Sequence, residues 1–206
     1  EHSLLCAAQT LNLLAVSLAD LKAEKNPTAL RRMLTSFVPD DASSLNQSLV
    51  IAAQHLDSTD KELARVALKL AIENADMDEG TSPKLAKWLN EKSLASPRIQ
   101  TLEDYCAALI AHPKVQNLIT TMLAHAAPEV KQAALRVLAG QSAGVTQEAW
   151  FAKLDSGLAE APTPLLLDAI KKLKTPHFDA ALQAIANDEK RPLSIRLKAL
   201  DSAKSV

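Results

Sequence analysis

The chain has 206 residues, of which 48% are hydrophobic and 23% charged, and its formal net charge is −1. This balance excludes a strong overall field that would attract nucleic acid or an anionic membrane. No apolar run reaches the roughly 18–20 residues that a transmembrane helix needs, so no membrane insertion is expected. The chain is rich in alanine and leucine and has only 4 glycines, a composition that favours helices over a sheet. The sequence therefore predicts an all-α protein.

Helical periodicity runs through almost the whole chain and is interrupted at prolines and polar turns. The predicted helices cover about 3–21, 28–37, 45–55, 60–75, a segment starting at Pro83, 99–111, 113–124, 128–139, a segment capped by Thr146, 163–173, 177–187 and 192–204. Ser43 or Ser44 is expected to cap the third helix, because a serine side chain accepts hydrogen bonds from the first free N–H groups. Gly140 is expected to end the eighth helix in a left-handed conformation.

One spacing recurs in these helices: an aliphatic residue, an alanine four positions on, a leucine beside it and a further apolar residue. It occurs at 63–71, 130–138 and 195–203, with offsets of 67 and 65 residues. These offsets are about twice the length of a two-helix repeat of ~33 residues. Weaker copies at Leu102–Cys106 and Leu166–Ile170 supply the units between them. The pattern therefore indicates repeated helical hairpins.

A helix inside a stack of hairpins needs apolar residues on two adjacent faces, because it packs on its hairpin partner and on the next hairpin. We therefore predict an α–α superhelix, a solenoid of about twelve helices in about six antiparallel hairpins. It is expected to form a single domain over 1–206, with irregular repeats over 1–96 and clearer repeats over 97–206. An unrelated all-α bundle remains the alternative. Because the chain starts without Met, we expect it to be a fragment of a longer protein.

The stretches APEVKQAALRVLAG (127–140) and RPLSIRLKALDSA (191–203) resemble the second helix of HEAT-like repeats of the armadillo superfamily. This resemblance implies a scaffold that binds other proteins and catalyses no reaction. The longer stretch TPHFDAALQAIANDEKRPLSIRLKALDSA (175–203) also resembles HEAT segments of large exported planctomycete and verrucomicrobial proteins, in which such repeats link a dehydrogenase domain to a cytochrome c domain. That resemblance implies a structural spacer in an exported or periplasmic protein. The haem-attachment motif Cys-x-x-Cys-His is absent from this sequence, so no haem is expected.

The residues that usually carry chemistry are scattered along the chain. Phosphate loops and nucleophile elbows need glycines that this sequence lacks, and no catalytic residue, metal or cofactor is expected. The five histidines are expected at the surface or at helix ends; they are His2, His55, His112, His125 and His177. The segment Asp76–Gly80 is interpreted as a polar turn, because a calcium loop would need glycine at its sixth position and glutamate at its twelfth.

Four further side chains are expected to lie in the apolar core. Cys6 and Cys106 are interpreted as buried small hydrophobic residues, although a disulfide between them remains open. Trp88 and Trp150 lie at helical spacing with leucines, so they too are expected in the core.

The candidate interaction surface is the solvated side of the two clearest repeat helices. Its residues are Lys131, Gln132, Arg136, Arg196 and Lys198. We expect the partner to be another protein or a neighbouring domain of the same polypeptide. Some HEAT-like folds are DNA glycosylases, and such an enzyme is a further alternative. It would need an excess of basic residues to contact phosphates, whereas this chain has 23 basic and 24 acidic residues, so no nucleic acid is expected as a partner.

Overall fold

The computed structural model describes residues 16–142 and 144–203, which form α-helices, one short 3-10 helix and no β-strand. The helices are α1 (Leu18–Ala23), α2 (Pro27–Ser36), α3 (Ala42–Ala53), α4 (Lys61–Glu73), α5 (Thr81–Trp88), α6 (Ser96–Ala108), α7 (Pro113–Ala124), α8 (Pro128–Gly140), α9 (Glu148–Glu160), α10 (Pro164–Leu173), α11 (Asp179–Asn187) and α12 (Leu193–Ala203). The 3-10 helix Pro176–Phe178 precedes α11. The all-α prediction is confirmed by these twelve helices.

The chain divides into two compact units, Glu1–Lys87 and Trp88–Val206. In the first unit α1 packs on α3 and α2 packs on α4, while α3 also contacts α4. The contacts of α1 with α3 and of α2 with α4 join helices two apart in the chain, as expected of stacked hairpins. That the whole of 1–206 forms one domain stays a prediction.

The second unit has the same alternation over more helices. The helices α6, α8, α10 and α12 pack side by side in one layer, which we call the even layer, and α7 packs on α9 behind it. Within the hairpins, α8 contacts α7, α10 contacts α9, and α12 contacts α11. This arrangement is compatible with the predicted helical-repeat superhelix. The recurring sequence pattern lies on the helices of the even layer and on α4 of the first unit.

The helix α8 shows how the repeat residues fill the core. Val130, Ala134 and Leu138 are fully buried, as the pattern predicts, whereas Leu135, the leucine of the pattern, is half-buried. Ala133 and Val137 are buried as well, because a helix packed between two neighbours covers more than one stripe of positions. Both tryptophans are confirmed in the core, with Trp150 fully buried and its Nε1–H donating to Thr120 Oγ1 at 3.1 Å.

Several predicted helix starts differ from the structure because a different side chain makes the cap. Ser17 and Asp20 form a capping box that begins α1, so the predicted helix over 3–21 is broken at Ser17; its part over 3–15 lies outside the described residues. Asp41, rather than Ser43 or Ser44, caps α3, and its carboxylate accepts from Ser44 N–H at 2.7 Å. Thr146 does not cap α9, because its hydroxyl donates to Leu173 O at 2.7 Å instead.

The left-handed positions also differ from the prediction. Gly140 is the last residue of α8 and has no positive φ, so the expected left-handed cap there is wrong. In the described part of the chain, positive φ angles occur at Gly144 (63°), in the following loop, and at Lys174 (51°), which ends α10. The chain thus turns after α8 through a longer loop, and a lysine takes the strained position after α10.

Candidate protein-interaction surface

The five residues predicted as an interaction surface lie on α8 and α12, two helices of the even layer with α10 between them. Lys131 and Gln132 are exposed, and their side chains make no hydrogen bond or ion pair with any described residue. The other three, Arg136, Arg196 and Lys198, make contacts between helices. The structure thus separates two exposed side chains without such contacts from three that contact neighbouring helices.

The strongest of these contacts joins α8 to α6. Arg136 donates to both carboxylate oxygens of Glu103, with Nε–Oε1 at 2.9 Å and Nη2–Oε2 at 2.7 Å. Such a two-point contact fixes orientation as well as distance. The hydrogen bonds that Arg136 donates to Glu103 raise the pKa of the Arg136 guanidinium above its ordinary value.

Two ion pairs of opposite polarity join α10 to α12. Lys198 Nζ lies 2.6 Å from Asp168 Oδ2, and Lys171 Nζ lies 2.8 Å from Asp201 Oδ2. Arg196 donates from Nε to the carbonyl of Ala186 at 3.0 Å, which joins α12 to the end of α11. Each helix supplies one acid and one base, so the pairs specify register between α10 and α12 even though exposed pairs contribute little stability.

Lys131 borders an open cavity of about 290 Å³ that is lined by residues of α7 to α10. Leu135, Leu154 and Leu166 form its apolar walls, while Lys153 and Glu160 line it together with Lys131. The three charged side chains are exposed and the leucines are buried or half-buried. A concave apolar site with a few charged groups around it is suited to hold a side chain of a partner.

The cavity depends on a close approach of α9 and α10 at Gly157. A Cβ at this position would lie 3.0 Å from Leu166 Cδ2, which is tighter than ordinary contact. Sequence reasoning missed Lys153 and Glu160, because they lie on α9 and meet Lys131 only through tertiary packing. The available signal was Gly157 itself, since a glycine inside a helical pattern often marks close packing.

His125 lies at the C-terminal end of α7, one of the positions expected for the histidines, where it is buried and bridges two segments of backbone. Its Nδ1 accepts from Ala127 N–H at 3.0 Å, and its Nε2 lies 3.0 Å from Glu91 O. Because Nδ1 accepts, Nε2 carries the proton and donates to Glu91 O. The imidazole thereby supports the residue that precedes α8 and ties it to the loop between α5 and α6.

Two other histidines lie in distinct settings. His177 is exposed, and its Nε2 lies 2.8 Å from Asp155 Oδ2 while its ring stacks on Phe151 at 4.4 Å between centroids. His55 is half-buried at the end of α3, and burial, reinforced by the charge of Lys84, lowers the pKa of its imidazole. His112 is the N-cap residue of α7 without a side-chain cap bond, and His2 lies outside the described residues.

The remaining chemical candidates have structural roles. Cys106 is a buried free thiol whose pKa burial raises to about 12, and Cys6 lies outside the described residues. Asp78 accepts from Gly80 N–H at 2.8 Å and from Thr81 N–H at 3.0 Å, so Asp76–Gly80 is a turn that leads into α5. Across residues 16–142 and 144–203, no group of three or more His, Cys, Asp or Glu side chains is arranged to hold a metal ion.

Comparison of the chain with protein-family models, with curated proteins and with solved structures gave no match. Among the helices that the structure describes, none is both long and apolar enough to cross a bilayer. The described helices make this an all-α protein, and their contacts are those of stacked helical hairpins.

Proposed function

We propose that this chain is a HEAT-like helical-repeat module that binds another protein, or a neighbouring domain of its own polypeptide, and catalyses no reaction. The observation that carries the proposal is the leucine-walled cavity beside Lys131, with Lys153 and Glu160 at its edge. The stacked hairpins on either side support it, because repeat modules bind through extended surfaces that successive helices build together.

The lining of the cavity indicates the chemistry of the partner. The leucine walls favour an apolar side chain, since burying apolar area provides most of the affinity at the centre of an interface. Lys131 and Lys153 favour acidic residues next to that side chain, because complementary charges at the rim guide association. We therefore infer that the partner presents an aliphatic or aromatic side chain flanked by Asp or Glu.

The test begins with a photo-crosslinking residue in place of Gln132, which lies on the same helix as Lys131 and is exposed. Proteins captured in an extract of the source organism would be purified and titrated with the native chain. The double variant Lys131→Glu/Lys153→Glu should weaken binding about tenfold or more, because it places like charges against an acidic partner. The variant Lys92→Glu is the matched control, since Lys92 is an exposed lysine of the same unit outside the cavity.

Two outcomes would contradict the proposal. One is that no captured protein binds the purified chain saturably. The other is that a captured protein binds the double variant and the native chain with equal affinity, which would exclude the cavity as the contact.

A further inference from the structure

A cavity of about 480 Å³ lies in the first unit, beside α1 and α3. Its apolar wall is made by Leu21 of α1 and by Val50 and Ile51 of α3. Leu21 and Ile51 are buried, whereas Val50 is 40% exposed. Sites for small molecules usually have volumes of about 300–1,000 Å³ and combine apolar walls with a few polar groups. This cavity therefore has the size and the apolar wall of a small-molecule site.

Three basic side chains border the cavity. Lys22 belongs to α1, Lys25 follows α1, and His55 lies at the end of α3. Lys22 Nζ donates to Gln47 Oε1 at 3.2 Å and so joins α1 to α3. Lys25 Nζ and the His55 imidazole make no hydrogen bond or ion pair within the part of the chain that the structure describes. Two basic groups at one cavity are thus available to a ligand.

The acidic groups of the lining do not balance these cations. Among the described residues that line the cavity, Glu24 is the single acid. Its Oε1 already accepts from Lys25 N–H at 2.8 Å and from Asn26 N–H at 2.6 Å. With His55 neutral, two lysines and one glutamate give the lining a net charge of +1. The cavity is therefore complementary to a ligand with one negative charge.

The carbonyl end of α3 does not need the free cations either. Gln54 O accepts from Lys84 Nζ at 2.8 Å, and Ala52 O accepts from His55 N–H at 2.9 Å. The partial negative charge of this helix end is thus already neutralised by other donors.

The imidazole of His55 lies in a positive local field. Burial lowers the pKa of His55, and the charges of Lys84 and Lys25 lower it further, against the opposing charge of Asp57. A neutral imidazole keeps one N–H that can donate to a carboxylate oxygen. A carboxylate placed here would accept this hydrogen bond and relieve the repulsion between the basic groups.

We propose that this cavity binds a small organic carboxylate, with its apolar body on Leu21, Val50 and Ile51 and its carboxylate between Lys25 and His55. The hydrogen bonds to the carboxylate are charge-assisted, which makes them stronger than neutral ones. The site lies in the first unit and the cavity beside Lys131 in the second. The proposal therefore goes beyond the proposed function and does not depend on it.

The test is an NMR titration of the native chain with 3-phenylpropanoate at a pH above 6.5, the ordinary pKa of histidine. The His55 imidazole resonances should shift saturably, with a dissociation constant in the millimolar range or below, as expected of a ligand this small. The bound carboxylate should also raise the pKa of His55. His177 is an exposed histidine of the second unit, and its resonances should not shift.

A neutral ligand and a charge reversal test the role of the carboxylate. 3-Phenylpropanamide has nearly the same shape without the charge and should bind about tenfold more weakly or worse. Lys25→Glu should weaken the binding of 3-phenylpropanoate about tenfold or more, because it places a like charge beside the carboxylate. Lys61→Glu is the matched control, since Lys61 is an exposed lysine of the same unit outside the cavity.

Three outcomes would overturn the proposal. The first is that the His55 resonances do not shift saturably through the millimolar range of 3-phenylpropanoate. The second is that the acid and the amide bind equally well. The third is that Lys25→Glu binds the acid as tightly as Lys61→Glu does.

Discussion

Arg136 Nη2 lies 2.7 Å from Glu103 Oε2, and this ion pair joins α8 to α6 across 33 positions of sequence. The Glu103 side chain is 18% exposed and that of Arg136 is 45% exposed, so the pair is partly shielded from water. Two parallel hydrogen bonds make it stronger than an ordinary surface ion pair. Arg136, which is predicted to contact a partner, therefore also joins two helices of the even layer.

We expect Arg136→Ala to destabilise the second unit by about 1 kcal/mol, a value discounted because the arginine is partly exposed. Both tryptophans of the chain, Trp88 and Trp150, belong to this unit, so urea unfolding followed by tryptophan fluorescence reports its stability. Lys131→Ala on the same helix is the control and should change the free energy of unfolding little. Equal effects of the two substitutions would contradict a structural role for the ion pair.

His125→Phe should destabilise the second unit by about 1–3 kcal/mol. Phenylalanine keeps a flat aromatic ring, although a slightly larger one, but Ala127 N–H and Glu91 O lose their hydrogen-bond partner, and unsatisfied buried backbone groups are costly. His125→Asn should recover part of the loss, because its amide oxygen can still accept from a backbone N–H two residues on. The same fluorescence-monitored urea titration measures both variants. A phenylalanine variant as stable as the native chain would disprove the backbone bridge.

His55 makes the stability of the first unit depend on pH. Burial, and then the charge of Lys84, lowers the pKa of His55 below its ordinary value of 6.5. The unfolded chain therefore binds the proton more tightly than the folded chain. The contribution of neutral His55 to the free energy of unfolding is therefore complete above pH 6.5. It is lost as the pH falls through the lowered pKa of the folded state.

NMR titration of the His55 imidazole should give a midpoint below 6.5, and Lys84→Gln should raise it because the repulsive charge is removed. As the pH falls, the free energy of opening measured by hydrogen exchange in α3 and α4 should decrease more in the native chain than in the His55→Gln variant. A His55 midpoint at or above 6.5 would refute this prediction.

Two glycines in helices should respond differently to alanine. Gly140→Ala should stabilise the second unit by up to about 1 kcal/mol, because alanine favours the helix and no atom lies within 4 Å of the added Cβ. Gly157→Ala gains the same propensity but forces Leu166 to shift, which should cancel some or all of the gain. Fluorescence-monitored unfolding compares the two. Equal stabilisation by both would show that α9 and α10 do not need the close approach.

The sequence by itself determined the all-α class and most of the helices. Helical hydrogen bonds and amphipathic stripes involve residues within about four positions of each other, so the bounds of α7 and α8 could be predicted closely. A cap such as Asp60, whose Oδ1 accepts from Leu63 N–H at 2.9 Å, also involves residues only three positions apart. The recurring pattern also identified the helices of the even layer, because the two-sided apolar face is a property of each helix alone.

Only the tertiary structure decided which polar side chains are open and which are engaged. Arg136 and Lys131 look alike in the sequence, yet Arg136 pairs with Glu103 on α6 while Lys131 borders a cavity with Lys153 on α9. Thr146 does not cap α9 because its hydroxyl donates to Leu173 O, which is distant in the sequence. His125 likewise contacts a distant group, Glu91 O. The physical reason is the same in each case. Hydrogen bonds and burial depend on which helices pack against each other, and the sequence of a single helix does not specify its neighbours.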